Sequence, residues 1–315
     1  MKKFVTIGGG TGQYLLLKGL KNYDIDLTAI VNVVDNGGSS GELRVDFGIL
    51  PPGDIRNCLI ALADETKSKC LAELFAYRFS SPNGKLDNHN LGNLIITALS
   101  DMNKDMGEAT IAAGKLLGIH GKVLPVSIDN THLFAKTFSG KIVKGEANIS
   151  YISGGEKIEK LWLEPKAFIY SKTSQAIKEA DIIIICPGEI YGSIMPNFLV
   201  DGVKEAIEQS DAKIVYVSNL VTKQGSYGFR LSDFVNKIEL ALGKKLDKII
   251  CNKKKPDQKV VDKYFAEESC FVEPDLNGEN IIKSDLLQEI DSGGKIVARH
   301  DFHKTARLIM GLLKD

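Results

Sequence analysis

The chain has 315 residues, 43% hydrophobic and 25% charged, with a formal net charge of zero. That length accommodates one large α/β domain or two smaller ones, and the composition is that of a globular protein. The balanced charge supplies no global field for nucleic acid or an anionic membrane, so neither is an expected partner, although backbone amides still allow local phosphate sites.

In chain order, Phe4–Ile7 is a β-branched strand that runs directly into Gly8, Gly9, Gly10, Thr11 and Gly12, and Tyr14–Leu20 then reads as a helix. Strand, glycine turn and helix in that order form the entrance of a doubly wound nucleotide-binding fold, where helix N–H groups suit a phosphate. The turn is not a Walker A loop. It also departs from strict G-x-G-x-x-G, because Gln13 holds the third glycine position. Leu27–Val34, Ile182–Cys186, Lys213–Val217 and Lys248–Cys251 read as further buried strands. Helical patterns cover Ile55–Ala63, Leu71–Arg78, Leu91–Leu99, Gly107–Leu117, Asn197–Gln209 and Leu231–Leu242.

From about 121 to 165 the pattern changes: Lys122–Ile128, Lys141–Glu146 and Ile158–Leu163 read as antiparallel hairpins, with Ser139-Gly140 and Gly154-Gly155 as turns. From about 245 to 315 strand and helix pieces form a C-terminal extension, which ends in a helix from His303 to Leu313 capped by Asp301. The expected architecture is a single domain over 1–315: α/β, with a doubly wound, mainly parallel sheet and an inserted antiparallel β region.

Cys58, Cys70, Cys186, Cys251 and Cys270 are odd in number, widely spaced and without C-x-x-C. They read as reduced thiols of a cytoplasmic protein, with Cys186 and Cys251 as small core residues. No apolar stretch has membrane-spanning length, and the glycines interrupt the apolar run after Lys2 and Lys3 at once.

Five loops at the carboxyl ends of strands carry the polar residues. In the second, Asp35 stands at a ribose-binding interval from the glycine turn, and Gly38, Ser39 and Ser40 suit an anion nest. Asp54 is placed to cap a helix from Ile55 or to meet a ligand or metal, and Arg56 to support a phosphate. His89 is a candidate to orient or protonate a substrate oxygen, and Asn93 points with a helix start. The loop after Cys186 brings Pro187, Gly188, Tyr191 (a stacking candidate) and Ser193, and Pro196 suits a first helical turn. Asn219 ends the next strand. His300 and His303 lack a further nearby metal ligand, and Lys253–Lys255 reads as a solvated loop.

These loops carry a resemblance. Ile7-Gly-Gly-Gly-Thr-Gly12, Asp35-Asn-Gly-Gly-Ser-Ser-Gly41, Pro51-Pro-Gly-Asp-Ile-Arg-Asn57, His89-Asn-Leu-Gly-Asn93 and Pro187-Gly188 to Pro196-Asn197 occur in that order, with Tyr77-Arg-Phe79, Val123-Leu-Pro125 and Arg299-His-Asp301. Together they resemble the bacterial gluconeogenesis-factor (YvcK-like) branch of the 2-phospho-L-lactate transferase (CofD-like) family, over nearly the whole chain. The resemblance implies a Rossmann-like fold with an inserted β region. In the transferase branch it implies Mg²⁺-aided transfer of a phosphate-linked three-carbon acid from a guanosine diphosphate donor to a deazaflavin alcohol. In the gluconeogenesis-factor branch it implies binding of UDP-sugars such as UDP-N-acetylglucosamine and a role in carbon metabolism and cell shape.

The chain departs from that pattern at Asn36, where many relatives carry a second Asp, at Asn88 and Asn90 around His89, and at Glu189 and Gly192. Losing a carboxylate at Asn36 weakens a metal site, and Glu189 would repel a close diphosphate. The leading expectation is a nucleotide-diphosphate-sugar binding protein. A transferase with Mg²⁺ on Asp35 and Asp54 is the second reading, and an NAD(P)-dependent oxidoreductase the third. No cofactor is required by the first reading, and a homodimer is the expected oligomer.

Overall fold

β-branched and aliphatic runs dictate the architecture, because each must be buried on both sides of a sheet. The computed structural model describes residues 1–64, 66–152, 156–291 and 296–312. Seven parallel strands form the main sheet: β1 (Lys2–Gly8), β2 (Ile25–Val31), β3 (Lys122–Pro125), β7 (Ile182–Ile185), β8 (Lys213–Val217), β9 (Lys248–Asn252) and β10 (Ile281–Ser284). Their order across the sheet is β10-β9-β8-β7-β1-β2-β3. Phe4–Ile7 pairs with Ile182–Ile185 on one side, and Lys2–Gly8 pairs with Ile25–Val31 on the other. The chain therefore winds outward in opposite directions from β1 and from β7, and their carboxyl ends flank the switch point. The Rossmann-like expectation holds.

Helices α1 (Gly10–Leu20), α2 (Gly38–Phe47), α3 (Gly53–Leu62), α4 (Lys69–Ala76), α5 (Leu91–Asn103) and α6 (Met106–Leu117) occupy the first half. The second half adds α7 (Glu146–Ser150), α8 (Ser171–Lys178), α9 (Met195–Phe198), α10 (Val203–Glu208), α11 (Leu231–Leu242), α12 (Gln258–Ala266) and α13 (Phe302–Gly311). One continuous buried cluster runs from Phe4 through Ile184 and Tyr216 to Ile309. A smaller one joins Leu220, Val260, Tyr264, Leu287 and Ala298 under the antiparallel pair β11 (Leu287–Asp291) and β12 (Ile296–His300).

Two sequence expectations need correction here. The segment 122–128 is not a hairpin arm: Lys122–Pro125 is the parallel edge of the main sheet. The antiparallel insertion instead centres on β4 (His132–Thr137), flanked by β5 (Ile142–Lys144) and β6 (Ile158–Glu164). β4 alternates buried and half-buried residues, a short period-2 signal that its lysine and histidine obscure. The helix expected over 197–209 is broken, because Gly202 at φ 97° separates α9 from α10. Asp301 caps α13 as expected, accepting from Lys304 N at 3.0 Å. Leu313 and the Gly154-Gly155 turn lie outside the described residues.

Candidate functional site

β1 delivers Gly8 and Gly9 to the switch point, and α1 starts at Gly10 without a side-chain cap. Its first-turn N–H groups therefore lack intrahelical acceptors, and that of Gly10 is taken by Asp54 Oδ2 at 2.9 Å. Gly10 has φ 66°, a left-handed conformation that only glycine adopts readily. A Cβ at Gly12 would overlap the carbonyl oxygen of Pro187, so the glycine turn and the loop after β7 meet backbone to backbone. A Cβ at Gly10 would lie 3.8 Å from Ser193 Oγ, which sets that hydroxyl beside the turn. Thr11 is exposed at the mouth. Gln13 explains the altered fingerprint: its buried amide donates to Ile30 O at 2.9 Å and Thr6 Oγ1 at 3.2 Å, tying α1 to β1 and β2.

Asparagines lock the walls. Asn32 Nδ2 donates to Gly192 O at 2.6 Å, and Asn36 Oδ1 accepts from Ala147 N at 3.0 Å. Asn36, whose missing charge the sequence flags, thus holds the start of α7. Asn219 donates to Gly188 O and accepts from Tyr216 OH at 3.1 Å, so its amide positions the loop after β7.

Asp35 Oδ1 accepts from Gly37 N at 2.9 Å. The expected anion nest after it is instead α2, so Gly38, Ser39 and Ser40 are helical. Asn93 Nδ2 donates to Ser39 Oγ at 3.3 Å and Ser40 Oγ at 3.5 Å. Arg56 reaches Asn93 Oδ1 at 2.9 Å and Asn57 Oδ1 at 2.7 Å, which commits most of its fork to α3 and α5. His89 is fixed between Ser39 Oγ and Glu42, at 3.1 Å from each. Asp54 does not cap a helix from Ile55. The helix begins at Gly53, and Asp54 Oδ2 accepts from Gly10 N at 2.9 Å.

Four carboxyl groups, Asp35, Asp54, Glu146 and Glu189, gather near this switch point and act on one another. Burial, then the charge of Asp35, push Asp54 up to about 6. Burial outweighs the Gly37 bond and the charges of Arg44 and Arg56 to raise Asp35 as well. Burial raises Glu146 to about 7, with Asp35, Glu189 and Asp54 adding repulsion. Glu189 is raised by burial although it accepts from Gly192 N and from Ser150 Oγ, the latter at 3.2 Å. Burial also lowers Arg56 to about 10. Carboxyls titrating near neutrality accept hydrogen bonds from sugar hydroxyls when ionised and donate when protonated.

Asp35 and Asp54 also suit a cation. The charge of Asp35 acts on Asp54, and two carboxylates plus ligand phosphate oxygens can form a Mg²⁺ site. Among the described residues no group of three or more His, Cys, Asp or Glu is placed to hold a metal ion. Such a site would be completed by the ligand.

Sequence reasoning did not single out Glu146, Asn32 or Gln13 as site or framework residues in this way. Tyr191 is 3% exposed and packs against Phe229 and beneath Lys237, so its ring serves the interior rather than the crevice surface. Cys186 and Cys251 are buried free thiols. His300 is buried and held down to about 4 by that burial, while the His303 ring lies 4.2 Å from Phe302.

Fold and crevice define a Rossmann-like α/β protein with a polar cleft at its strand-order reversal. The family model described as 2-phospho-L-lactate transferase CofD matches residues 4–290. The chain is 44% identical over 313 residues to a putative gluconeogenesis factor of Thermotoga maritima, covering 98% of each. It is 37% identical over 317 residues to the gluconeogenesis factor of Bacillus subtilis, covering 99% of this chain and 98% of that one. A crystal structure of a Bacillus halodurans protein of the upf0052 family superposes with TM-score 0.91 at 37% identity, over 98% of this chain and all of that one. The chain belongs to the CofD family, among its gluconeogenesis factors. No helix of the described residues is long and apolar enough to cross a membrane.

Proposed function

We propose that this protein binds a nucleotide-diphosphate sugar, of the UDP-N-acetylglucosamine type, in the crevice between β1 and β7. The observation that carries this reading is the backbone contact of Gly12 with Pro187, which gathers the start of α1 and a second loop at one switch point. The diphosphate meets the N–H groups of Thr11 and Gly12 and the Ser193 hydroxyl, beside the Gly10 N–H that Asp54 holds. Asp35 and Glu146 accept from ribose or sugar hydroxyls. Asp54 and Glu146, raised to about 6 and about 7, take up a proton more readily than free carboxyls when a phosphate approaches.

A transferase reading is the alternative, favoured by the Asp35–Asp54 pair and by the family model. There Mg²⁺ would be held by Asp35 and Asp54 and would neutralise phosphate charge. His89, pinned by Ser39 and Glu42, sits on the α2 side as the available proton carrier.

Thermal melting with UDP-N-acetylglucosamine, GDP, NAD and a deazaflavin, each with and without Mg²⁺, separates these readings. A ligand at about one hundred times its dissociation constant adds roughly 2.7 kcal/mol. Stabilisation by the UDP-sugar supports the binding role, while metal-dependent stabilisation by GDP with turnover of a deazaflavin replaces it by the transferase. Asp35→Ala is expected to weaken nucleotide binding and leave the melting profile of the free protein cooperative. Unchanged affinity by calorimetry removes Asp35 from the site.

A further inference from the structure

A second cleft, about 610 Å³ in volume, opens between α2 and the antiparallel insertion. That volume suits a small metabolite. Its polar lining consists of Arg44, His132 and Lys144 together with the carboxamides of Asn36, Asn130 and Asn148, and the described lining contains no carboxylate. In a chain of zero net charge, Arg44 and Lys144 on one cleft with no carboxylate in its described lining are a local excess.

Arg44 is the centre of it. The residue is only 5% exposed, and its hydrogen bonds go to neutral acceptors: Asn130 Oδ1, at 3.2 Å from Nε and 2.7 Å from Nη2, and the Thr131 carbonyl. Nη1 is sealed from solvent and has no hydrogen-bond partner. The charge of Asp35 reaches Arg44 but no hydrogen bond is made to Nη1, so that buried donor is left for a further anion to complete. The neighbouring histidine registers the same field: His132 is held below its usual value by burial, then by Arg44 and Lys144. Lys144 stands on β5 and lines the cleft, its ammonium 5.5 Å from the Phe134 ring centroid.

We propose that this cleft binds a small hydroxylated phosphomonoester, with Arg44 and Lys144 holding the phosphate. Nη1 of Arg44, the one nitrogen of its fork without a partner, offers its N–H donors and Lys144 a mobile point charge. Asn36 and Asn130, whose oxygens are engaged, can donate, and Asn148, whose nitrogen is engaged, can accept, which matches hydroxyl groups better than an apolar ring. Asn36 connects the two sites, since it lines this cleft while fixing α7, the helix that carries Glu146 into the crevice. Occupancy here is thereby placed to act on the nucleotide crevice.

The test is calorimetry and histidine NMR on the full chain, with glycerol 3-phosphate and inorganic phosphate as probes and citrate as the carboxylate control. Glycerol 3-phosphate is expected to bind, to shift the His132 ring resonances, and to remain bound when the UDP-sugar is added. Lys144→Glu, an exposed change, is expected to weaken binding by about tenfold or more with an unaltered melting temperature. Gly12→Ala, which disturbs the other crevice, is expected to leave this affinity unchanged. That separates the two proposals even if nucleotide binding fails. No heat and no His132 shift with glycerol 3-phosphate, wild-type affinity in Lys144→Glu, or tighter binding of citrate would each overturn the assignment. Inorganic phosphate binding as tightly as glycerol 3-phosphate would equally overturn the hydroxyl-recognising role of the carboxamides.

Discussion

Gly10 N donates to Asp54 Oδ2 at 2.9 Å, so a carboxylate from α3 takes the first amide of the glycine turn. The bond ties α3 to α1 and places an acidic group where an incoming phosphate would settle. Burial and Asp35 raise Asp54 from 3.8 to about 6. Its folded-state value lies above the unfolded one, so its contribution is intact below about pH 4 and is lost as pH rises through about 6. The rise from 3.8 to about 6 corresponds to about 3 kcal/mol. The stability of Asp54→Asn relative to wild type is therefore expected to improve by about that amount from acid to neutral pH. Urea titrations at several pH values check this, and a pH-independent difference would refute the assignment.

Gly12 and Pro187 tolerate no side chain between them. Gly12→Ala must push α1 away from the loop after β7, with an expected loss of about 1–3 kcal/mol of stability by denaturant unfolding. Nucleotide binding, where wild type shows it, is expected to fall by more than the stability change alone explains. A variant with native stability and affinity would contradict the close approach.

Asn36 acts as a neutral acceptor for Ala147 N. Asn36→Asp keeps that acceptor, so the fold is expected to survive, and it adds a carboxylate beside Asp35. Mg²⁺ should then stabilise the variant more than wild type in thermal melts. Asn36→Ala removes the acceptor and is expected to cost about 1 kcal/mol, with faster amide exchange in α7.

Arg56 joins Asn93 and Asn57 through separate nitrogens of one planar group. Lysine cannot make both bonds in that geometry. Arg56→Lys is expected to lose about 1–2 kcal/mol and to release Asn93 from the serines of α2. Chemical-shift changes at Ser39 and Ser40 would report that release, and their absence would separate Arg56 from the network.

Much of this molecule follows from local pattern. Phe4–Ile7 and Ile182–Ile185 carry no polar position to place in water except Thr6, so burial on two faces is their stable solution, and a parallel sheet follows. Glycine and proline punctuation located the ends of the strands, and Asp301 announced α13 by the side chain that caps it. Local signals misled where a sequence suits two conformations. Gly38 to Ser40 has the composition of a loop, yet Ser39 and Ser40 enter a helix because Asn93, from α5, supplies their hydrogen-bond donor.

The composition and spacing of the 315 residues determined a mainly parallel α/β sheet and the strand ends that carry polar loops. The edge strands Lys122–Pro125 and Ile281–Ser284 and the strand order emerged from the tertiary structure. Which of those polar groups face one another followed from folding alone. Asn36 meets Ala147, Asn32 meets Gly192, and Glu146 joins Asp35 and Asp54 across long stretches of chain. The reason is physical: periodicity and capping are written within a few neighbouring residues, whereas charge repulsion, burial and hydrogen bonding between distant segments exist only once the chain has closed on itself.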